Sequence, residues 1–184
     1  MALERLGSER AYRFYLASPL AFADWENPTP AELNANPTND PAGLVFNLTC
    51  AVSVDGTTFD LGEADTDDSL TFCQRAGSST RLAENPEIVF QIERSKDRWI
   101  ESDPATRDTA NLAFSLLAWR GVEYFAIMSI GEDPDQEFAE GHRIKMARVA
   151  TDYLVDESGA GEMIRGTQNF AVRGDLNWNY ELGA

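Results

Sequence analysis

Few residues in this sequence are of the types that do chemistry, and their spacing fits no catalytic motif. His142 is the single histidine, and Cys50 and Cys73 are the two cysteines, so the four-ligand spacings of a zinc site are missing. The segment Asp65–Asp68 begins like a calcium-binding loop but lacks the glycine and the closing glutamate of an EF-hand. The sequence has no nucleophile elbow, phosphate-cradling glycine loop or dinucleotide fingerprint. We therefore predict a protein that is not an enzyme and that uses no metal or cofactor.

The charge of the chain argues against a second group of functions. It has 31 acidic and 15 basic residues, which give a formal net charge of −16. Proteins that grip DNA, RNA or an anionic membrane by counterion release need a basic surface, and this composition opposes one. The sequence has no apolar run long enough for a membrane helix. Its charged start, residues 1–6, is unlike a secretory signal.

The elements that must position the remaining candidates fall into two stretches, of which residues 1–43 are the first. This stretch holds five of the eight prolines, which predicts an irregular arm that packs on its own domain or on a neighbour. Within it, Thr29, Pro30 and Glu32 form a capping box for a short helix near residues 30–35. The aromatic side chains of the arm are candidates for contacts between subunits: Tyr12, Phe14, Tyr15, Phe22 and Trp25.

Residues 44–184 have the pattern of a β domain. Residues 44–54 alternate strictly between apolar and polar types, which predicts a long strand with Cys50 on its apolar side. Residues 122–130 are apolar on both parities, which is typical of a central strand covered on both faces. We expect both cysteines to be reduced thiols. Further strands are predicted at about 69–76, 87–94, 142–155 and 163–182.

One helix and one acidic loop complete the β domain. Asp103 at the N-cap, Pro104 at the first turn and Gly121 at the end predict a helix over about 103–120. Residues 55–69 form an acidic loop that contains no basic residue. Long loops in compact domains are usually functional, so we expect this loop and the arm to bridge subunits, unless they fold back onto their own domain. The candidate residues of the loop are Asp60, Glu63, Asp65, Asp67 and Asp68.

These elements predict a mainly β fold class. The expected architecture is an antiparallel β-sandwich or barrel, residues 44–184, with one flanking α-helix and an irregular N-terminal arm. Within this frame several short segments have a familiar order. They are Pro28–Asn34, Leu48–Ala51, Asp60–Gly62, Asp65–Cys73, Asp108–Asn111, Gly121–Phe125 and Asn169–Gly174.

In these segments the sequence resembles the major tail tube proteins of long-tailed phages, especially those of actinobacterial hosts. The most specific part is the acidic segment that ends at Cys73, and the first 25 residues have no counterpart. The resemblance implies a structural virion protein of a non-contractile, siphovirus-type tail. Its subunits would form rings, usually hexameric, that stack into a hollow tube around a tape-measure protein. The tube would meet a tail terminator and distal tail proteins, and viral DNA would pass through it without specific binding.

The acidity of the chain agrees with such a role. Duplex DNA carries one negative charge about every 1.7 Å of axis, so a basic bore would trap it and an acidic bore would let it slide. The last predicted strand alternates cleanly, and one of its faces is a candidate for the lining of the bore. The residues of that face are Asp175, Asn177, Asn179 and Glu181.

Two other functions remain open on the sequence alone. A head-tail connector, tail terminator or other virion protein with a related sandwich would share both fold and charge. An acidic carbohydrate- or calcium-binding β-sandwich module would share the composition, and a calcium-induced rise in thermal stability would mark it.

Overall fold

The structure, a computed structural model, places most of the chain in antiparallel β-sheet. It describes residues 12–37, 39–40, 42–53, 56–61, 65–67, 80–83, 86–93, 109–131, 136–157 and 165–183. The strands are β1 (Tyr12–Ala17), β2 (Val45–Asn47), β3 (Thr58–Leu61), β4 (Asp65–Asp67), β5 (Thr80–Ala83), β6 (Pro86–Glu93), β7 (Glu123–Ile130), β8 (Arg143–Glu157) and β9 (Arg165–Glu181). The helices are α1 (Pro30–Leu33) and α2 (Thr109–Leu117), with a 3₁₀ turn at Pro19–Ala21.

Seven of these strands form one sheet. Their order is β2-β1-β7-β8-β9-β6-β3, and β4 and β5 form a separate two-stranded sheet. Every pairing is antiparallel. The prediction of a mainly β, antiparallel fold with a flanking helix is therefore confirmed.

The two ends of this sheet approach each other through the chain that follows β2. The Ser53 amide donates to the Gln91 carbonyl at 2.7 Å, and the Glu93 amide donates to the Ala51 carbonyl at 3.0 Å. Val52 thereby bridges Ile92 of β6. One segment thus pairs with β1 at its start and with β6 at its end, so the sheet curls around an interior.

That interior is the larger of two hydrophobic clusters, here called the inner core. Its strand residues are buried aliphatic and aromatic side chains, with Phe90, Ile92 and Leu16 at 0% exposure. Helix α2 covers it with Leu112, Ala113 and Leu117. The Tyr124 hydroxyl donates to the Leu116 carbonyl at 3.1 Å and ties this helix to β7.

A second cluster, the outer core, lies on the opposite face of β1, β7 and β8. It is covered by the proline-rich stretch after β1, through Phe22 and Leu33, and by Phe138 from the loop before β8. Five consecutive residues of β7 are buried, because Ala126 and Met128 face the inner core while Phe125 and Ile127 face the outer core. The prediction of a doubly covered central strand at 122–130 is confirmed.

The expectation of an irregular arm is wrong for Tyr12–Ala17, which form β1 between β2 and β7. The physical reason is burial on both faces: Phe14 and Leu16 enter the inner core, and Tyr15 and Ala17 enter the outer core. The sheet therefore extends across the expected boundary at residue 44. The first proline follows at position 19, after the strand has ended.

The predicted strand over residues 44–54 is also wrong for residues 48–53, because β2 ends at Asn47. The Asn47 side chain accepts from the Thr49 amide at 3.0 Å, which starts a turn. The Leu48 carbonyl then accepts from the Ala51 and Val52 amides at 2.8 and 3.0 Å. As a result Cys50 is exposed rather than on an apolar strand face. Cys73 lies outside the described residues, so the state of the two thiols stays a prediction.

Two further expectations differ from the structure. The acidic loop 55–69 contains β3 and β4. The helix ends at Leu117, three residues early, where the Trp119 carbonyl accepts from the Thr151 hydroxyl at 2.6 Å and fixes the chain to β8. The expected helix start at 103–108 and the expected strand at 69–76 lie outside the described residues. The strands expected at 87–94, 142–155 and 163–182 are present as β6, β8 and β9.

In the described part of the chain, none of the helices has the length and apolarity that crossing a bilayer requires.

Asparagine side chains close the outer edge of β2. The side-chain amide of Asn39 donates to the backbone carbonyl of Asn47 at 2.8 Å, and its side-chain oxygen accepts from the backbone amide of Asn47 at 2.7 Å. The Asn39 side chain thus makes the pair of hydrogen bonds that a neighbouring strand would make. Asn36 donates to the Val45 carbonyl at 2.9 Å. An open sheet edge is a template for pairing with other chains, and these contacts, here called the amide clasp, occupy it.

The amide clasp predicts a stability and solubility effect at Asn39. Asn39→Ala removes both bonds to Asn47 and puts alanine at a φ of 54°, which costs about 1–2 kcal/mol for the backbone alone. With the lost hydrogen bonds, we expect the free energy of unfolding in urea to fall by about 2–4 kcal/mol. Aggregation, followed by light scattering, should increase because the β2 edge is open.

The matched control is Asn39→Gly, which accepts the positive φ and lacks the amide. It should lose about 1–2 kcal/mol and aggregate like the alanine variant. A glycine variant that matches the parent in both measurements would show that the clasp does not protect the edge.

The capping box of α1 predicts a pH effect. The Glu32 carboxylate accepts from the Thr29 amide at 2.9 Å, the Thr29 hydroxyl at 2.8 Å and the Ala23 amide at 2.8 Å. Partial burial, the largest single influence, raises the pKa of Glu32, but the hydrogen bonds from Ala23 and Thr29 together outweigh it and lower the pKa below 4.5. The stabilisation is therefore complete above pH 4.5 and is lost as the pH falls through the lowered pKa.

Glu32→Gln should lower the free energy of unfolding by about 1 kcal/mol at pH 7. The difference from the parent should shrink toward pH 3, as protonation of Glu32 removes the same charge. Urea unfolding at a series of pH values checks this, and a difference that stays constant down to pH 3 would contradict it.

Candidate assembly surfaces

Three of the five aromatic candidates in the N-terminal segment are buried within the chain itself. Phe14 packs edge-on against Phe90 with ring centres 5.4 Å apart, and Phe22 packs against Phe125 at 5.6 Å. The Tyr15 ring lies 5.0 Å from that of Phe138. The roles of these side chains are thus explained without a second subunit.

The other two aromatic candidates remain partly accessible. Trp25 stacks on Phe125 with ring centres 5.7 Å apart and is half-buried. Tyr12 is 39% exposed and stacks on Phe14 at 6.5 Å. Their contribution to contacts between subunits stays a prediction.

Arg13 organises the outer core, and the sequence analysis did not identify it. Its side chain is fully buried, donates to the Gln136 carbonyl and to the Ser129 hydroxyl (3.1 Å), and lies 4.2 Å from the Phe138 ring centre. Burial raises the pKa of Tyr15, and the neighbouring Arg13 charge partly opposes that rise. Arg13 thereby joins β1 to a loop more than 120 residues later in the chain.

The structure describes the side chain of one of the five acidic candidates, Asp60. Asp60 is exposed on β3. Asp65 and Asp67 belong to β4, where the backbone alone is described. Glu63 and Asp68 lie outside the described residues. Among the side chains that the structure describes, no three metal-binding types converge on one point.

The four bore candidates on β9 do not share one face. The register of β8 and β9 shifts between Ile144 and Met146, and Asn179 there has a φ of 66°. This bulge turns Trp178 toward the inner core and Tyr180 toward the outer core.

The surroundings of the bore candidates differ accordingly. Asn177 is half-buried and donates to the Glu26 carbonyl at 3.0 Å. Glu181 is exposed and lies 3.4 Å from Arg143, and Asn179 is exposed. For Asp175 the structure gives the strand position alone. The lining of a bore by these residues stays a prediction, and the geometry favours Asn179 and Glu181 over Asn177.

Several exposed apolar residues near the end of β8 were also missed. Trp119 is 73% exposed, Tyr153 67% and Val155 50%. Two of these residues, Tyr153 and Val155, could have been predicted from the sequence. They alternate with Leu154, which packs on the inner core, so its two neighbours in the strand must face outward.

An open cleft lies between the chain after α1 and the outer core. Its volume is about 160 Å³. Two asparagine side chains of the cleft already bond to backbone groups. Asn34 donates to the Phe138 carbonyl and accepts from the Phe138 amide, both at 2.9 Å, and Asn36 donates to the Val45 carbonyl. These amides hold chain segments together. The lining residues are Tyr15, Leu33, Asn34, Asn36, Pro37, Val45, Asn47, Gln136 and Glu137.

Comparison with known proteins gives a family for the whole described fold. The family described as "Phage tail tube protein" matches residues 9–184, which include all nine strands and both helices. A search of the curated proteins gave no match. The matched family consists of structural virion proteins rather than enzymes, which confirms the prediction of a non-enzymatic role. The chain therefore belongs to the phage tail tube protein family, as a structural component of the virion tail that assembles with other tail proteins into a tube.

Proposed function

We propose that this chain is the major tail tube subunit of a non-contractile, siphovirus-type tail. Six copies form a ring, and rings stack into a hollow tube around a tape-measure protein. A tail terminator lies at one end of the tube and distal tail proteins lie at the other. The tube is assembled in the cytoplasm of the host, and viral DNA later passes through it without specific binding. The sequence segments that resemble tail tube proteins support an actinobacterial host.

The family match over residues 9–184 is the observation that carries this proposal. It spans the curled sheet and both cores, so the family relationship concerns the whole folded unit rather than one motif. The net charge of −16 supports the same role, because an acidic tube does not trap a polyanion that must slide along it.

Ring formation requires contacts between two different surfaces of the subunit. Such heterologous contacts close into a ring when the rotation between neighbours divides the circle evenly. The outer edge of β2 is occupied by the amide clasp within the chain itself. This supports assembly through contacts between side chains on other surfaces of the subunit, rather than by addition of a strand at the edge of β2.

Assembly of the purified chain tests the proposal. Negative-stain electron microscopy at rising protein concentration, with light scattering for mass, should show rings or hollow tubes of uniform width. Because each subunit is strongly acidic, raising the salt from about 50 to 500 mM should screen repulsion between copies and lower the concentration at which assembly begins.

The abundance of the chain in purified virions provides the control that needs no assembly in vitro. A tube subunit should be among the most abundant virion proteins, and antibodies against it should decorate the tail along its length. A few copies confined to one end of the tail would contradict the proposal and indicate a connector or terminator instead.

A further inference from the structure

One outward surface of the sheet differs from the rest of this acidic protein. It lies on β3, β6, β9 and β8, on the side away from the inner core, and is here called the neutral face. Its cross-strand neighbours are set by the register, in which Val89 pairs with Asn169 and Gln91 pairs with Thr167. Its members are Thr58, Val89, Gln91, Tyr153, Val155, Thr167 and Asn169.

The alternation of the strands fixes the orientation of this face. Phe90 pairs with Gln168, and Leu154 pairs with the same Gln168 from the other side. Phe90 and Gln168 are fully buried and Leu154 packs against the inner core, so these three side chains point inward. Successive residues of a strand point to opposite faces, so the residues on either side of them point outward.

Tyr153 is raised from this surface by a bulge. Between the pairs Thr151–Phe170 and Leu154–Gln168, two residues of β8 stand opposite one residue of β9. Tyr153 is 67% exposed there, and Val155, two positions on, is 50% exposed. The Arg120 guanidinium lies 4.8 Å from the Tyr153 ring centre and pairs with Asp152 at 2.9 Å.

None of the seven side chains of the neutral face is charged, whereas the positions around it are. The Glu157 carboxylate reaches over one end of the face, where it accepts from the Thr167 hydroxyl at 3.1 Å and from the Gln91 side-chain amide at 3.5 Å. At one end Arg165 pairs with Glu93 at 3.2 Å, beside Glu157. At the other end Asp60 lies opposite Glu87. An uncharged centre that contains an aromatic side chain and has a charged rim is the usual anatomy of a protein–protein interface. The exposed Tyr153, with Arg120 beside it, supplies residue types that dominate binding energy.

We propose that the neutral face binds a second copy of this chain in the tail tube. The charge of the protein identifies the occupant. Two copies that each carry −16 repel each other wherever acidic surfaces meet, and they approach at least cost over an uncharged area. A basic partner would instead gain most from the acidic surface around this face. The inference rests on the proposed tube function and adds to it the surface through which copies meet.

Chemical footprinting of the virion tests the proposal directly. Hydroxyl radicals should modify Tyr153 readily in the isolated chain and about tenfold less in the assembled particle, as read by mass spectrometry. Leu44, 42% exposed and outside both this face and the N-terminal arm, is the reference. Equal modification of Tyr153 in the isolated chain and in the particle would overturn the neutral-face proposal. It would leave the tube function standing if the chain is abundant along the tail.

A pair of charge variants tests that the occupant is a second copy. Tyr153→Glu places a carboxylate in the centre of the face, and Leu44→Glu adds the same charge outside both the face and the N-terminal arm. Because both side chains are exposed, both variants should keep the parent's urea midpoint. In assembly of the purified chain, we expect Tyr153→Glu to need at least about tenfold more protein than the parent, while Leu44→Glu assembles as the parent does. Equal assembly of Tyr153→Glu and the parent would overturn the proposal.

Discussion

Burial of β7 on both faces is the constraint on which the rest of the fold depends. Five consecutive buried residues leave this strand no solvated side, so one hydrophobic cluster must form above it and another below. The curl of the sheet and helix α2 enclose the first cluster. The proline-rich stretch after β1 and the loop around Phe138 cover the second, and the buried Arg13 joins that loop to β1 and β7. The irregular chain between β1 and β2 therefore has a structural task, since without it the outer faces of β1 and β7 would meet water.

Prediction from the sequence succeeded for elements that depend on neighbouring residues. It failed for elements whose structure depends on contacts with residues far away in the chain. The apolar parities of residues 122–130 and the capping box at Thr29 depend on near neighbours, and both are present. The alternation after residue 44 continues through a turn, because the Asn47 side chain bonds to the Thr49 amide without disturbing the apolar pattern. On β9, a bulge with Asn179 at positive φ exchanges the two faces, which a count of alternate residues cannot show.

The candidate surfaces were harder to predict for the same reason. An aromatic residue in an irregular segment is satisfied equally by its own domain or by a neighbour. The aromatic rings that pack against Phe14, Tyr15 and Phe22 belong to residues 76 to 123 positions later in the chain. The neutral face combines β3, β6, β8 and β9, and its lack of charge becomes visible once their register is known. Composition gave the overall acidity but could not give its distribution.

A protein that builds a tube must bind its own copies and yet avoid binding them in the wrong way. Strand addition at an open edge has no fixed register when the paired groups are backbone alone, and it would give filaments of undefined geometry. The amide clasp removes that route at β2 with side chains of the same subunit. The net negative charge then opposes contact between copies, and it does so least over the uncharged neutral face. A contact made through side chains on a rigid sheet has one preferred orientation, and a fixed orientation is what the proposed ring requires. Edge protection, net charge and the neutral face thus act together to favour one mode of self-association over the many that an exposed β-sheet would otherwise allow.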